Sequence, residues 1–419
     1  LPDVEAGMRH WRHLARAEIV DLNESARRLK AALAAPGAST LAERRMRRLL
    51  QATVEQTKAL TKLLEPLGLE ERDEGSETAL ERALAARIPV SQSLTGYYAN
   101  IHRDWGWPDA AVDENGASLA RVLEVIPDRV KHGDARILVL GAGACRLAYD
   151  LHVAVKAEAT VATDFNPLML YAARRIVTGG TVHLQEFPLA PVDVDSTAVS
   201  RALKAPAPVD KSFHLVLADA MNPPFAAEAW DVVLTPWLID IVPQDLKTFI
   251  PRLNRLVRPG GVWVNFGSYA FKQQSVARHY GLEEVLAAVT ESGFALEKHV
   301  VAKLPYLQSP ASCHGRVETV LSFAARKTAA VPQPPPYAYL PPWLLDLTQP
   351  IPARQEFQTF VMTHAQYAQT VAMIDGKRSA KDIAEALARQ HGMPEAMALE
   401  AFTGFITTVH EQGLLGARL

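Results

Sequence analysis

The stretch Ile137-Leu138-Val139-Leu140-Gly141-Ala142-Gly143-Ala144-Cys145-Arg146-Leu147-Ala148 decides the fold. Four consecutive branched apolar residues suit a strand buried on both faces, as at the centre of a parallel sheet. Gly141 and Gly143 follow at once, and a glycine lets the backbone turn tightly and approach a ligand with no Cβ in the way. Ala142 lies between them, and the amides that open the next helix face the same space, a position suited to a polar or anionic group. Arg146 stands at the third glycine's place, so the loop is not a full G-x-G-x-x-G. No Gly-Lys-Ser/Thr follows, so it is not a P-loop either. Taken alone, the segment reads as a nucleotide-type cofactor loop or as a structural turn.

Similar apolar runs recur on either side of it: Ala159–Thr163, Leu215–Leu217, Trp230–Leu234 and Gly261–Asn265. Helical stretches separate most of them, including Pro167–Val177 and Asp245–Val257. Strand and helix alternating at this spacing predict an α/β fold with a doubly wound, mostly parallel sheet covered on both faces. Phe294–Leu304 and Arg316–Phe323 read as a hairpin-like edge that closes the sheet. In such sheets ligands lie beyond the carboxyl ends of the strands, so one crevice collects the residues found there. Asp164 ends the second strand about twenty residues past the loop, where a carboxylate can accept both hydroxyls of a ribose. Asp219-Ala220 follows the next strand, where a base can be bounded. A dinucleotide needs the missing glycine and a second phosphate cradle, whereas adenosylmethionine presents only a carboxylate to the loop; the shorter motif fits adenosylmethionine.

The 419 residues carry 44 Lys plus Arg against 46 Asp plus Glu, a formal charge of −2 that gives no electrostatic reason to bind nucleic acid or an anionic membrane. Two cysteines exclude a disulfide scaffold and a four-cysteine zinc site. His183, His214, His279 and His314 have no tight ligand spacing, so no metal is expected. No segment approaches the ~20 apolar residues of a membrane span. These features predict a cytoplasmic protein in a reducing compartment, and the apolar faces of its first helices make a homodimer possible. Four regions are expected: helices over 1–96, the sheet domain over 97–327, a Pro-rich linker over 328–352, and a small helical or winged-helix-like domain over 353–419. Thr40 with Glu43 has capping-box spacing at the start of one N-terminal helix, as does Ser379 with Asp382 near the C-terminus. The cluster Arg44, Arg45, Arg47 and Arg48 reads as a solvated helix face, since no aromatic residues interleave it.

Tyr98 through Arg103-Asp104-Trp105, Val139–Ala148, Thr163-Asp164-Phe165, Asp231–Asp240 and Arg258–Gly267 occur together in this order. On these segments residues 97–325 resemble the carnosine N-methyltransferase family of class I methyltransferases. The resemblance implies a seven-stranded sheet, S-adenosyl-L-methionine as cofactor, S-adenosyl-L-homocysteine as product and no metal. It implies cofactor contacts from Asn100, Arg103, Gly141, Gly143 and Asp164, with Arg103 on the cofactor carboxylate; Ala142, Arg146, Phe165, Asp219 and Ala220, beside the loop and the strand ends, are expected to join them. Asp240 matches an aspartate that engages the substrate imidazole. The chain departs from the pattern where the family has a substrate-contacting histidine, near Lys272, and where it has a tyrosine, at Val317. The C-terminal segment resembles PqqD-like domains, which bind leader peptides.

Methyl transfer from a sulfonium is an in-line displacement, so nucleophile, methyl and sulfur must be aligned. A neutral imidazole nitrogen is nucleophilic and becomes cationic on attack. A carboxylate on the other ring N–H fixes the tautomer and stabilises the growing charge, the role expected of Asp240. Trp237, Tyr269 and Phe271 are expected to wall the acceptor pocket, and Lys272 to meet a substrate carboxylate. The sequence therefore predicts an N-methyltransferase acting on a histidine-containing small molecule or related amine. Two alternatives stay open: a peptide methyltransferase that recognises a leader through its tail, and a catalytically silent adenosylmethionine-binding scaffold.

Overall fold

The computed structural model describes residues 2–37, 39–70, 94–107, 112–242, 244–271, 278–335, 340–353, 357 and 367–411. Two helices open the chain, α1 (Pro2–Ala34) and α2 (Thr40–Leu63). The cap of α2 is Ser39, whose side chain accepts from the Ala42 amide, one residue before the expected Thr40. Ser39 is extended and free to turn its hydroxyl onto the first turn, whereas Thr40 is already helical. Arg44 pairs with Asp195, and Arg48 donates to the Ala198 carbonyl at 2.8 Å, so half of the expected solvated arginine face docks onto the chain instead. Helices α3 (Tyr98–Trp105) and α4 (Glu114–Val125) then lead into the sheet.

Along the chain follow β1 (Arg136–Leu140), α5 (Arg146–Val155), β2 (Ala159–Asp164), α6 (Pro167–Val177), β3 (Val182–Glu186), β4 (Val199–Leu203) and β5 (Phe213–Leu217). The second half comprises β6 (Trp230–Pro236), α7 (Leu246–Leu256), β7 (Val257–Gly267), α8 (Leu282–Glu291), β8 (Phe294–Tyr306) and β9 (Arg316–Lys327). Seven strands form one sheet in the order β5-β2-β1-β6-β7-β9-β8. Neighbours from β5 through β7 are parallel, and β9 runs antiparallel to both β7 and β8. This is the doubly wound class I methyltransferase architecture, with the late hairpin at one edge and its second strand inside. Strands β3 and β4, absent from the sequence-based expectation, pair as a separate antiparallel hairpin.

The two-residue repeat of a strand explains why β1 is apolar throughout. Ile137 and Val139 pack into one layer with residues of α1 and α4–α6, while Leu138 and Leu140 enter the opposite layer with α7 and α8. Chain order reverses between β1 and β6: β2 lies on one side of β1 and β6 on the other. Such a switch point opens a crevice beyond the strand ends.

After the sheet, Leu340, Trp343, Leu344, Leu347 and Ile351 join a separate apolar cluster with Val371, Ile383, Phe402 and Ile406. The later part of the stretch expected as linker, from Leu340 to Ile351, thus contributes apolar side chains to a second core. Its helices include α9 (Ala380–His391), with Ser379 and Asp382 forming the expected capping box, and α10 (Glu395–Glu411). Among the described residues no helix is long and apolar enough to cross a membrane.

Candidate active site

Beyond β1 the chain turns through three left-handed residues, Gly141 (φ +68°), Gly143 (φ +57°) and Cys145 (φ +68°). The turn is pinned to β2: the Ala142 amide donates to the Thr163 carbonyl, and the Gly143 amide to Asp164 Oδ2, each at 2.8 Å. Asp164 Oδ1 accepts from the Asn166 amide at 2.8 Å. Loop and acid, inferred separately from sequence, are therefore joined by a direct hydrogen bond. Burial pushes the Asp164 carboxyl up to about 6 against these backbone amides, which act to lower it. A Cβ on Gly143 would meet no atom within 4 Å and would project into open space.

That space is a cavity of about 340 Å³ over the strand ends, lined by Asn100, Arg103, Gly141 to Ala144, Asp164, Phe165, Ala220, Trp237 and Asp240 among others. Arg103 is held by two hydrogen bonds to Asp104 Oδ1, from Nε at 2.9 Å and Nη2 at 2.7 Å. Asn100 donates to the Tyr306 hydroxyl at 3.0 Å. Trp237 has φ +51° and donates its amide to the Phe266 carbonyl at 2.7 Å. Gly267 allows this crossing, since a Cβ there would lie 2.7 Å from the Trp237 backbone.

Asp240 is 8% exposed and accepts from the Ala270 amide at 3.4 Å. It does not cap α7, whose N-cap is Asp245. Burial raises its carboxyl above the ordinary range; hydrogen bonds from Ser268 and the backbone oppose this, and the charge of Glu318 adds to it. Four carboxylates (Asp104, Asp164, Asp240 and Glu318) face two guanidiniums (Arg103 and Arg316) among the described lining residues, a field that favours a cationic ligand.

Several expected contacts lie elsewhere. Arg146 turns from the cavity, binding Asp150 through Nε at 2.9 and 2.8 Å and the Asp104 carbonyl through Nη1 at 2.9 Å, with its guanidinium over Trp105. Asp219 folds onto its own turn, accepting from the Met221 amide at 2.8 Å and Asn222 Nδ2 at 3.2 Å, while its neighbours Ala218 and Ala220 line the cavity. Phe271 is buried against Tyr280 in the layer of α7 and α8, and Tyr269 packs on the same layer; neither lines the cavity. Lys272 lies outside the described residues.

Sequence reasoning missed Tyr306, Arg316 and Glu318, which the loop end of the β8–β9 hairpin brings to the cavity. Val317 is 61% exposed, pointing opposite to its two neighbours along β9. Glu114 steadies this end, accepting from the Leu307 amide at 3.0 Å and the Gln308 amide at 2.7 Å.

Cys145 is buried and its thiol is raised well above the ordinary range, chiefly by burial. Cys313 is exposed. A thiol reagent added to the native protein is expected to label Cys313 promptly and Cys145 only on unfolding, as peptide mass mapping over time will register.

The family model for carnosine N-methyltransferase matches residues 90–329. Carnosine N-methyltransferase unmet of Drosophila melanogaster is 27% identical over 253 residues, covering 54% of this chain and 53% of that protein. Carnosine N-methyltransferase of Mus musculus is 23% identical over 248 residues, covering 54% and 60%. The chain thus spans little more than half the length of the curated relatives it matches. Among solved structures, the N-methyltransferase NodS of Bradyrhizobium japonicum is 14% identical, covering 51% of this chain and 94% of its own, with a TM-score of 0.33. An S-adenosylmethionine dependent methyltransferase of Mesorhizobium loti is 15% identical, covering 50% and 96%, with a TM-score of 0.34. The fold assignment rests on the strand order, not on these scores.

Proposed function

The chain belongs to the carnosine N-methyltransferase family, and on that premise we propose that it methylates an imidazole nitrogen of a histidine-containing small molecule or a related amine, using S-adenosyl-L-methionine and releasing S-adenosyl-L-homocysteine. The observation that carries the reading is one cavity with a cofactor half and an acceptor half: Gly141, Gly143 and Asp164 on the ends of β1 and β2, Asp240 just beyond β6. The residues present fit the cofactor. Gly143 leaves room where any side chain would intrude, Asp164 offers a buried carboxylate to a ribose, and the excess of carboxylates suits a sulfonium. When bound, adenosylmethionine supplies an electrophilic methyl group on that sulfonium.

The chain's own residues then do three things. Arg103, fixed by Asp104, meets the cofactor carboxylate, and Asp164 takes the ribose hydroxyls. Trp237 and Tyr306, with ring centroids 4.6 Å apart, wall the space beside Asp240 and exclude water from it. Asp240 accepts the N–H of the acceptor ring, leaving the lone pair of the other nitrogen aimed at the methyl. An acceptor ring that took the methyl would become cationic, and Asp240 would stabilise that charge.

Incubation with labelled S-adenosyl-L-methionine and a panel of histidine derivatives, dipeptides and His-containing peptides, read by mass-resolved products, tests this. A ring-methylated product is expected; label found only on non-imidazole amines or oxygens, or no product at all, contradicts it.

The ionised form of Asp164 is the one that accepts two ribose hydroxyls, and burial holds its carboxyl near 6 in the free protein. Cofactor binding is therefore at full strength above that value and weakens as the pH falls through it, by about tenfold per unit at most. Calorimetric titrations between pH 5 and 8, a range of about three units about this carboxyl, check the slope. In Asp164→Asn the affinity is expected to be low and flat.

A further inference from the structure

Tyr306 ends β8 and Arg316 opens β9, and the two are register partners. The Arg316 guanidinium carbon lies 4.5 Å from the centroid of the Tyr306 ring, and Arg103 approaches the same ring at 5.2 Å. Tyr306 is thus placed between the cofactor half and the mouth of the cavity. Arg316 Nε bonds Glu318 Oε1 at 2.7 Å, with the two side chains 53% and 18% exposed. Beyond that pair, Glu318 acts electrostatically on Asp240.

Of the two guanidiniums that line the cavity among the described residues, Arg103 is committed to Asp104, whose side chain is 4% exposed. Among the described residues Arg316 pairs only with a partner on its own strand, in a half-open setting where such a pair adds little stability. Exchanging that partner for another costs little. Stacking on Tyr306 keeps the guanidinium at the mouth when the exchange occurs, with donors to spare.

Resting on the methyltransferase reading above, we infer that Arg316 and Glu318 form an exchangeable clamp for a zwitterion. On acceptor binding the pair opens, Arg316 takes a free carboxylate and Glu318 a free ammonium, while Asp240 keeps the imidazole. The acceptor is then an unblocked imidazole amino acid or short peptide with both charged ends free. A residue inside a long chain has neither.

The test measures kcat and KM of the full chain for histidine and β-alanyl-histidine, each also as its N-acetyl and carboxamide derivative. Wild type is expected to favour the free compound over either blocked form by about tenfold or more, mostly in KM. Arg316→Gln removes the preference against the carboxamide, Glu318→Gln removes that against the N-acetyl form, and Arg316→Lys restores part of the first. Cofactor affinity stays unchanged in all three, which a general collapse of the site would not permit. Equal use of free and blocked compounds by wild type, or equal losses on every compound in both variants, overturns the clamp and leaves the methyltransferase reading standing. If no imidazole compound is methylated, free or blocked, while the cofactor still binds, the underlying reading fails and the clamp with it.

Discussion

Asp240→Asn is expected to lower kcat about a hundredfold while cofactor affinity stays within about twofold of wild type, a loss of about 3 kcal/mol confined to the reacting state. The substitution keeps size and shape but removes the charge. Asp240 is buried, with the Ala270 amide on Oδ2 and the charge of Glu318 acting on it, so it contributes little to holding the fold and gains most when a cation forms beside it. An amide there can still accept a ring N–H through its oxygen, so KM for the acceptor should rise less than kcat falls. Single-turnover rates with labelled cofactor separate the two. Full activity in Asp240→Asn removes it from the reaction.

The second large effect is at Arg103. Its guanidinium spans Asp104 and the face of Tyr306, and Asp104 is 3% exposed. Removing one partner of a buried ion pair leaves a charge with nothing to offset its desolvation, at a cost of about 3–5 kcal/mol. Arg103→Ala is therefore expected to lose both stability and cofactor affinity. Arg103→Ala with Asp104→Ala restores most of the stability and none of the affinity. Urea unfolding and calorimetry with S-adenosyl-L-homocysteine check the two halves separately. If the double variant binds the cofactor normally, Arg103 serves the fold and not the cofactor.

What could be read in advance follows from the range of each signal. The strands of the main sheet announce themselves as short apolar runs because both faces are covered, and the switch-point crevice follows from strand order alone. Asn166 and Pro167 mark the start of α6 unmistakably, the cap accepting from the Leu168 amide at 3.0 Å. The hairpin of β3 and β4 was illegible because it is held from outside the sheet: Gln56 accepts from the Gln185 amide at 2.8 Å, and Arg48 reaches Ala198. Tyr306, Arg316 and Glu318 were missed for a related reason, since they reach the site only through a long hairpin with no motif of its own.

Arg146 and Asp219 make local bonds that the sequence already signals. Arg146 has Asp150 one helical turn on, the spacing at which opposite charges meet, and that neighbour captures it. Asp219 two residues before Met221 has the pattern of a side chain closing its own turn. Asp164 closes its own turn in the same way, on the Asn166 amide, but keeps its other oxygen on the Gly143 amide of the loop.

A crystal structure with S-adenosyl-L-homocysteine is the most direct measurement. It is expected to show the ribose hydroxyls within hydrogen-bond distance of Asp164, the amino-acid carboxylate on Arg103, and the sulfur facing the space beside Asp240. A ligand bound outside the cavity above β1 and β2, or one whose sulfur points away from Asp240, contradicts the account.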